Sequence, residues 1–328
     1  MSTHENSHDK LFKSALADRK DAAMELRAVL PPALASQIDF STLEPVPGSF
    51  IDEQMRGSQA DLLYTVRCAG KETLLYVLME HKSEVDRWTI LQLLRYIVRI
   101  WEQCLAQKLP PSMLPPIIPV IVHHSETGWT APTHFQGLFE PTAMADSELR
   151  RLTPEFEVLL DDLSHCSDAE IRGRAMGPAA TLAFLFLRDS RREGCVLAEL
   201  LAWADLFRAL DVIPEGRRAI LRLFSYLLKV APNLGLKELA EQVQRAIPER
   251  NDIVSTLAEK LLEQGEKKGL EKGRTEGYRA LVRRLIELKF GTLDCVTIAR
   301  LESADEAALE RFSERVLTAT NVDEVLGQ

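Results

Sequence analysis

Two apolar segments joined by four residues constrain this chain more than any other feature. "DLLYTVRC" (61–68) and "TLLYVLMEHK" (73–82) flank Ala69-Gly70-Lys71-Glu72, a turn signal. Folded back as an antiparallel hairpin, Arg67 meets Leu74, Thr65 meets Tyr76, Leu63 meets Leu78 and Asp61 meets Glu80. Opposed residues share a face with Cα atoms about 4.5–5.5 Å apart. The two-residue period of a strand puts Lys82 on that face too. A slip of one residue breaks the arrangement, and a slip of two keeps the face.

Spacing therefore predicts that Asp61, Glu80 and Lys82 converge at one end of a sheet. Two carboxylates so close repel, and without a partner one is pushed toward protonation. A divalent cation held by Asp61 and Glu80 resolves the conflict, and hard oxygen ligands suit Mg²⁺, with Mn²⁺ or Ca²⁺ as alternatives. Lys82 beside it would orient a water and stabilise charge building on a phosphate, which is the chemistry of phosphodiester hydrolysis.

Composition sets bounds on this reading. The chain has 328 residues, 46% hydrophobic and 27% charged, enough to bury a core over two domains. Its five cysteines are odd in number, scattered and without a CxxC pair, which argues against disulfides or a cysteine zinc site and fits the cytoplasm. No secretory h-region or membrane-length apolar run is visible, so no membrane partner is expected. A formal net charge of −9 counts against wholesale phosphate binding but leaves room for a local basic patch and a metal ion.

Along the chain, residues 9–30 carry helical apolar spacing that ends at Pro31-Pro32. Extended segments are expected at 49–53, 61–68, 73–82, 116–122 and 156–160, the fourth a buried parallel strand by its continuous apolar run. Residues 84–108 read as a helix started by a Ser83/Asp86 capping box. Its two apolar stripes, Ile90-Leu93-Ile97-Ile100-Cys104 and Leu91-Leu94-Val98-Trp101-Leu105, predict a wide face pressed on a sheet. Gln92, Tyr96 and Arg99 form a polar line on the same helix. From 176 onward helices take over, at 178–187, 195–210, 216–230, 236–247 and 252–264. Gly265, Gly269, Gly273 and Gly277 then recur every four residues, each costing a helix interior roughly 1 kcal/mol. Residues 266–289 hold eight Lys/Arg against four Glu, a local +4 that leaves −13 for the remainder.

The Asp-x18-Glu-x-Lys pattern at a hairpin followed by a helix resembles the PD-(D/E)XK nuclease superfamily. More narrowly, "HDKLFK" (8–13), "ADLLYTV" (60–66), "LMEHKS" (78–83), "LQLLRYIVRIW" (91–101), "PIIPVIVHHSETGW" (116–129) and "FEVLLDDL" (156–163) are similar to the recombination-promoting nucleases, a transposase-like family. The resemblance implies an α/β, restriction-endonuclease-like core, a mixed sheet flanked by helices, over residues 1–175. A helical extension (176–262) and a glycine-punctuated basic linker with a small helical module (263–328) follow, the module itself resembling one found at the end of such proteins. It implies a metal-dependent DNA endonuclease in which Asp61 and Glu80 bind Mg²⁺, Lys82 assists the water and Gln92 supports the site. Two departures stand out: Ala60 occupies the place of the motif's proline, and the family's acid in the first helix has only Asp9 as a nearby candidate.

Each feature also has a plainer reading. Asp61 and Glu80 could be charged strand ends, and Gln92 a surface glutamine. His123-His124 point to opposite faces of a strand, which disfavours joint chelation, and His81 faces away from Glu80 as a core histidine. Arg95, Arg99, Arg191 and Arg192 read as solvated faces, or as phosphate contacts that position without reading sequence. The glycine row is a flexible connector or a close helix contact, the latter allowing a homo-oligomer through the C-terminal helices. The rival function is a catalytically degenerate DNA-binding or self-associating protein that works through this tail. No Walker loop, GxGxxG, GxSxG or zinc-finger pattern supports other enzyme classes.

Overall fold

The chain is described as a computed structural model covering residues 5–46, 62–68, 74–106, 113–192, 194–231, 234, 236–248, 252–253, 255–256, 259, 276–277, 279–291 and 293–327. The expected strand at 49–53, Asp61, the turn 69–72, most of the helix at 252–264 and Gly265, Gly269 and Gly273 lie outside these residues. Residues 1–254 and 255–328 form two compact units.

The first unit opens with helices α1 (Glu5–Ala15), α2 (Arg19–Val29) and the single turn α3 (Pro32–Ala35). One continuous helix over 9–30 is thus corrected to two. Asp18 adopts an extended backbone, and its carboxylate accepts from the Lys20 N–H, capping a fresh helix. Strand β1 (Ile38–Pro45) follows, which the sequence reading missed. Strands β2 (Leu62–Cys68) and β3 (Leu74–Lys82) come next, then α4 (Thr89–Ala106), β4 (Ile117–His123) and β5 (Leu159–Asp162). The short helices α5 (Pro141–Ala145) and α6 (Ser147–Leu152) lie between β4 and β5.

The sheet order is β1-β2-β3-β4-β5, with the first three strands antiparallel and β3-β4-β5 parallel. The β2–β3 ladder has the expected register: Arg67 pairs Leu74, Thr65 pairs Tyr76 and Leu63 pairs Leu78, ending at Leu62 opposite Met79. The fifth strand starts at Leu159 rather than Phe156. Residues 156–158 instead meet 133–135, with Phe135 N–H donating to the Phe156 carbonyl and Val158 N–H to Thr133.

Strand alternation gives the sheet two distinct faces. Leu63, Tyr76, Leu78 and Ile121 bury against Ile90, Leu93, Ile97, Ile100 and Cys104 of α4. The opposite face meets α1 and α2. Further along the chain come α7 (Asp168–Gly173), α8 (Pro178–Asp189), α9 (Cys195–Glu199), α10 (Ala204–Asp211), α11 (Gly216–Val230) and α12 (Leu236–Ala246). α1 packs on α8 and α11, and Phe186, Trp203, Phe207 and Phe224 fill the space between α8, α10 and α11. The single helix expected at 195–210 is two, interrupted by a turn at 200–203.

α4 also departs from expectation. It begins at Thr89, because the Asp86 carboxylate accepts from Trp88 N–H and the Thr89 hydroxyl donates to the Asp86 carbonyl, while Ser83 stays outside with its carbonyl held by Arg191. Only its inner stripe is buried; Leu91, Val98 and Leu105 of the outer stripe are exposed.

The second unit places α13 (279–290), α14 (Cys295–Ser303), α15 (Glu306–Thr318) and α16 (Val322–Leu326) around Val282, Ile286, Leu301, Leu309 and Val325. Asp294, Asp305 and Asn321 cap the last three helices. Among the described residues no helix is long and apolar enough to cross a membrane.

Two of the buried polar clusters among the described residues tie helices behind the sheet to its strands. Arg174 donates to Glu25 of α2 at 2.8 and 2.9 Å and to Asp161 of β5 at 2.6 and 2.8 Å. Burial pushes Glu25 well above the usual carboxylate range, with Asp161 adding to the shift and Arg174 opposing it. Removing the guanidinium strands two buried carboxylates, so Arg174→Met should lose about 3–5 kcal/mol in urea unfolding. A loss under about 1 kcal/mol would show that the cluster contributes little.

The second cluster gathers three imidazoles: the rings of His8 and His124 are tilted with centroids 4.8 Å apart, and those of His81 and His124 are stacked at 5.1 Å. His8 Nδ1 meets the Tyr226 hydroxyl at 2.8 Å, and His81 Nδ1 meets Asp9 at 2.9 Å. Both ring nitrogens of His124 are buried, with no hydrogen-bond partner among the described residues. Burial, then the neighbouring His81 and His8, drive its pKa well below the ordinary histidine value. The unfolded chain therefore binds more protons once pH falls below about 6.5, and His124 costs stability there at up to about 1.4 kcal/mol per pH unit. His124→Phe should flatten the fall in urea midpoint between pH 7.5 and 5.5; an unchanged slope would contradict this assignment.

Candidate active site

β3 brings Glu80 and Lys82 to the face covered by α4, and the first turn of α4 adds Gln92. Glu80 is buried, with its Oε1 3.1 Å from the Lys82 Nζ. Lys82 also donates to Gln92 Oε1 at 3.1 Å. The Gln92 amide nitrogen lies 2.6 Å from the Tyr96 hydroxyl and 3.5 Å from Glu80 Oε1. These contacts orient the amide, oxygen toward the ammonium and nitrogen toward Tyr96. Gln92 is therefore part of the cluster and not a surface glutamine.

Asp61 lies outside the described residues; the ladder ends one pair short of it, at Leu62 opposite Met79. Asp9 is on the other side of the sheet, bonded to His81, so this acid does not reach Glu80. Among the described residues no three His, Cys, Asp or Glu side chains are grouped to hold a metal ion. Glu80 is the described carboxylate available to a hard cation here, and a second oxygen ligand has to come from elsewhere.

The parallel register extends the row beyond the hairpin. Lys82 pairs His123, and His123 pairs Asp162, so the three share a face along the carboxyl edge of β3, β4 and β5. His123 Nδ1 lies 2.9 Å from the Lys82 carbonyl, while its Nε2 lies 2.9 Å from Ser125 Oγ, which itself accepts from the Gly128 N–H. The Lys82 carbonyl can only accept, so Nδ1 carries a hydrogen there, and the Ser125 hydroxyl can donate to Nε2. Burial lowers the His123 pKa, which favours the neutral ring. Burial acts to raise Asp162, but bonds from Ser164 and the Trp129 N–H outweigh it and keep this carboxyl below its ordinary value.

Sequence reasoning set His123 aside and missed Asp162. Both lie at the ends of apolar runs, but their place beside Lys82 follows only once the strand order is known. Arg191 and Arg192 are not freely solvated: they donate to the Ser83 and Ser164 carbonyls, tying down the loops after β3 and β5.

Comparison with known proteins places this geometry. "Inactive recombination-promoting nuclease-like protein RpnE" of Escherichia coli (strain K12) is 25% identical over 305 residues, covering 93% of this chain and 97% of that protein. "Recombination-promoting nuclease RpnA" of the same strain is 27% identical over 260 residues, 79% of this chain and 84% of its own. "Recombination-promoting nuclease RpnC", also of that strain, is 31% identical over 119 residues, 36% and 39% of the two chains. No solved structure matches the chain significantly. The family model described as "Putative transposase, YhgA-like" matches residues 6–212, and the chain belongs to that family.

Proposed function

We propose that this protein is a metal-dependent DNA endonuclease acting in recombination, built on a PD-(D/E)XK core. The observation that carries the reading is the contact of Glu80, Lys82 and Gln92 on one face of the sheet, at the end of a hairpin whose register is the one the motif requires. The strand order supports it, three antiparallel strands followed by α4 and a strand parallel to β3. Relatives named as recombination-promoting nucleases support it independently.

In this reading Glu80 and Asp61 hold Mg²⁺, with Asp61 entering on the sequence argument. Electrostatics favours such a cation: two carboxylates and one ammonium leave a net negative site, which repels a phosphodiester until a divalent ion reverses the sign. When bound, the ion supplies Lewis-acid polarisation of the phosphate and makes water more acidic. Lys82, held by Gln92 and Glu80, places its ammonium where negative charge builds on the phosphate oxygens. Tyr96 fixes Gln92, and His123 fixes the main chain at Lys82, so the ammonium is set in place before substrate arrives.

At low salt with Mg²⁺, Asp61→Ala and Lys82→Ala should each lower plasmid nicking at least about a hundredfold with the fold intact. Gln92→Ala should lose about tenfold. Chelation should stop cleavage, and Mg²⁺ or Mn²⁺ should restore it. Unchanged nicking by the first two variants would discard the assignment.

The name of the RpnE relative, which calls that protein inactive, favours a second reading, a degenerate nuclease fold that binds DNA or self-associates through its basic tail. Titration showing no metal site, together with loss of DNA binding on truncation after residue 262, would select it.

A further inference from the structure

The outer stripe of α4 is apolar, regular and exposed. Leu91, Val98 and Leu105 recur every seven residues and are 38%, 41% and 67% exposed. Leu94 and Trp101, half-buried, flank the stripe on one side, and the exposed Arg95 and Glu102 flank it on the other. Trp101 donates to the Pro115 carbonyl at 2.8 Å, which sets the exposed Met113 and Leu114 beside the C-terminal half of the helix. Trp88, 56% exposed, sits just before its N-terminal end. An apolar strip of this length on an otherwise acidic chain marks an interaction surface.

The pattern is complementary to itself. With about 100° and 1.5 Å per residue, consider two copies of α4 laid antiparallel about a two-fold axis at Val98. Val98 then meets its own copy, and Leu91 meets Leu105. Leu94 falls against Trp101 on one flank. Arg95 falls within about one residue's rise of Glu102 on the other, same side and opposite charge. Every pair within this stretch is apolar with apolar or cation with anion. Self-complementarity under a two-fold is the signature of an isologous interface. The match of Arg95 with Glu102 across the axis is what favours a second copy over another partner. We propose that α4 is the dimer interface of this protein, with a second copy of the chain as its partner. The surface is distinct from the C-terminal tail, and the inference does not depend on cleavage chemistry.

Sedimentation velocity on the full chain tests it. The unaltered protein should run as a dimer at micromolar concentration. Val98→Glu puts two carboxylates on the axis and should weaken association about a hundredfold or more. Because Val98 is exposed, its variant should keep the far-UV circular dichroism of the parent. Arg95→Glu and Glu102→Arg should each weaken the dimer at least about tenfold, and the double exchange should restore it. That restoration also carries the test if Val98→Glu fails to fold, since a damaged fold would not be rescued by the exchange. A monomeric parent, or a dimer indifferent to Arg95→Glu and Val98→Glu, would overturn the proposal.

Discussion

The β2–β3 register is the constraint on which the rest depends. A strand has only two faces, so pairing Leu63 with Leu78 decides at once that Glu80 and Lys82 look toward α4 while His81 looks toward α1. A shift by one residue would exchange them, burying an ammonium behind the sheet and exposing the imidazole cluster's partner. The apolar residues upstream make that shift costly. Val77 and Met79 fill one core and Tyr76 and Leu78 the other, all essentially buried. Hydrophobic packing along the strand therefore pins the polar end, and no polar contact has to set it.

Three of the buried polar groupings among the described residues of the first unit rest on different chemistry. Glu80 takes an ammonium and an amide, Glu25 and Asp161 share one guanidinium, and burial beside His81 and His8 disfavours charge on His124. Buried ion pairs seldom repay their desolvation in stability, so their value lies elsewhere. Arg174 joins α2 to the end of β5, and the His8–Tyr226 and His81–Asp9 bonds join α1 to α11 and to β3. Each cluster fixes which elements adjoin the carboxyl edge of the parallel strands. Arg191 and Arg192 complete that edge by holding loop carbonyls. The site thus rests on a scaffold braced from behind.

What was legible in the sequence was what is local. The hairpin, the parallel run at 117–123 and the helix at 216–230 follow from period and turn chemistry alone. β1 was not legible, because "IDFSTLEP" mixes Asp, Ser, Thr and Pro into an edge strand, and its pairing with β2 shifts register between Asp39 and Glu44. The break at Asp18 was hidden by apolar spacing that runs on through it. Glu80, Lys82 and Gln92 were readable because the strand and the next helix turn are contiguous. His123 and Asp162 were not, since their place beside Lys82 depends on strand order, which no window of sequence contains.

α4 shows why the same helical pattern can mislead and inform at once. Two adjoining apolar stripes suggested one broad buried face, yet the core buries the stripe of Ile90, Leu93, Ile97, Ile100 and Cys104, takes only Leu94 and Trp101 of the other, and leaves Leu91, Val98 and Leu105 exposed. A single helix packed on a flat sheet contacts it through one stripe, so a second stripe is surplus to that contact. The surplus is ordered: heptad spacing with opposite charges on one flank is more specific than a core requires. Gln92 and Tyr96 belong to the same helix, so whatever covers the outer stripe bears on the element that supports Lys82. Association through α4 would stiffen that support, and it would join two copies of the edge that carries Glu80 into one particle. Under the function proposed above, such an arrangement would suit cleavage of both strands of a duplex, because a two-fold axis in the protein can match the pseudo-two-fold of DNA.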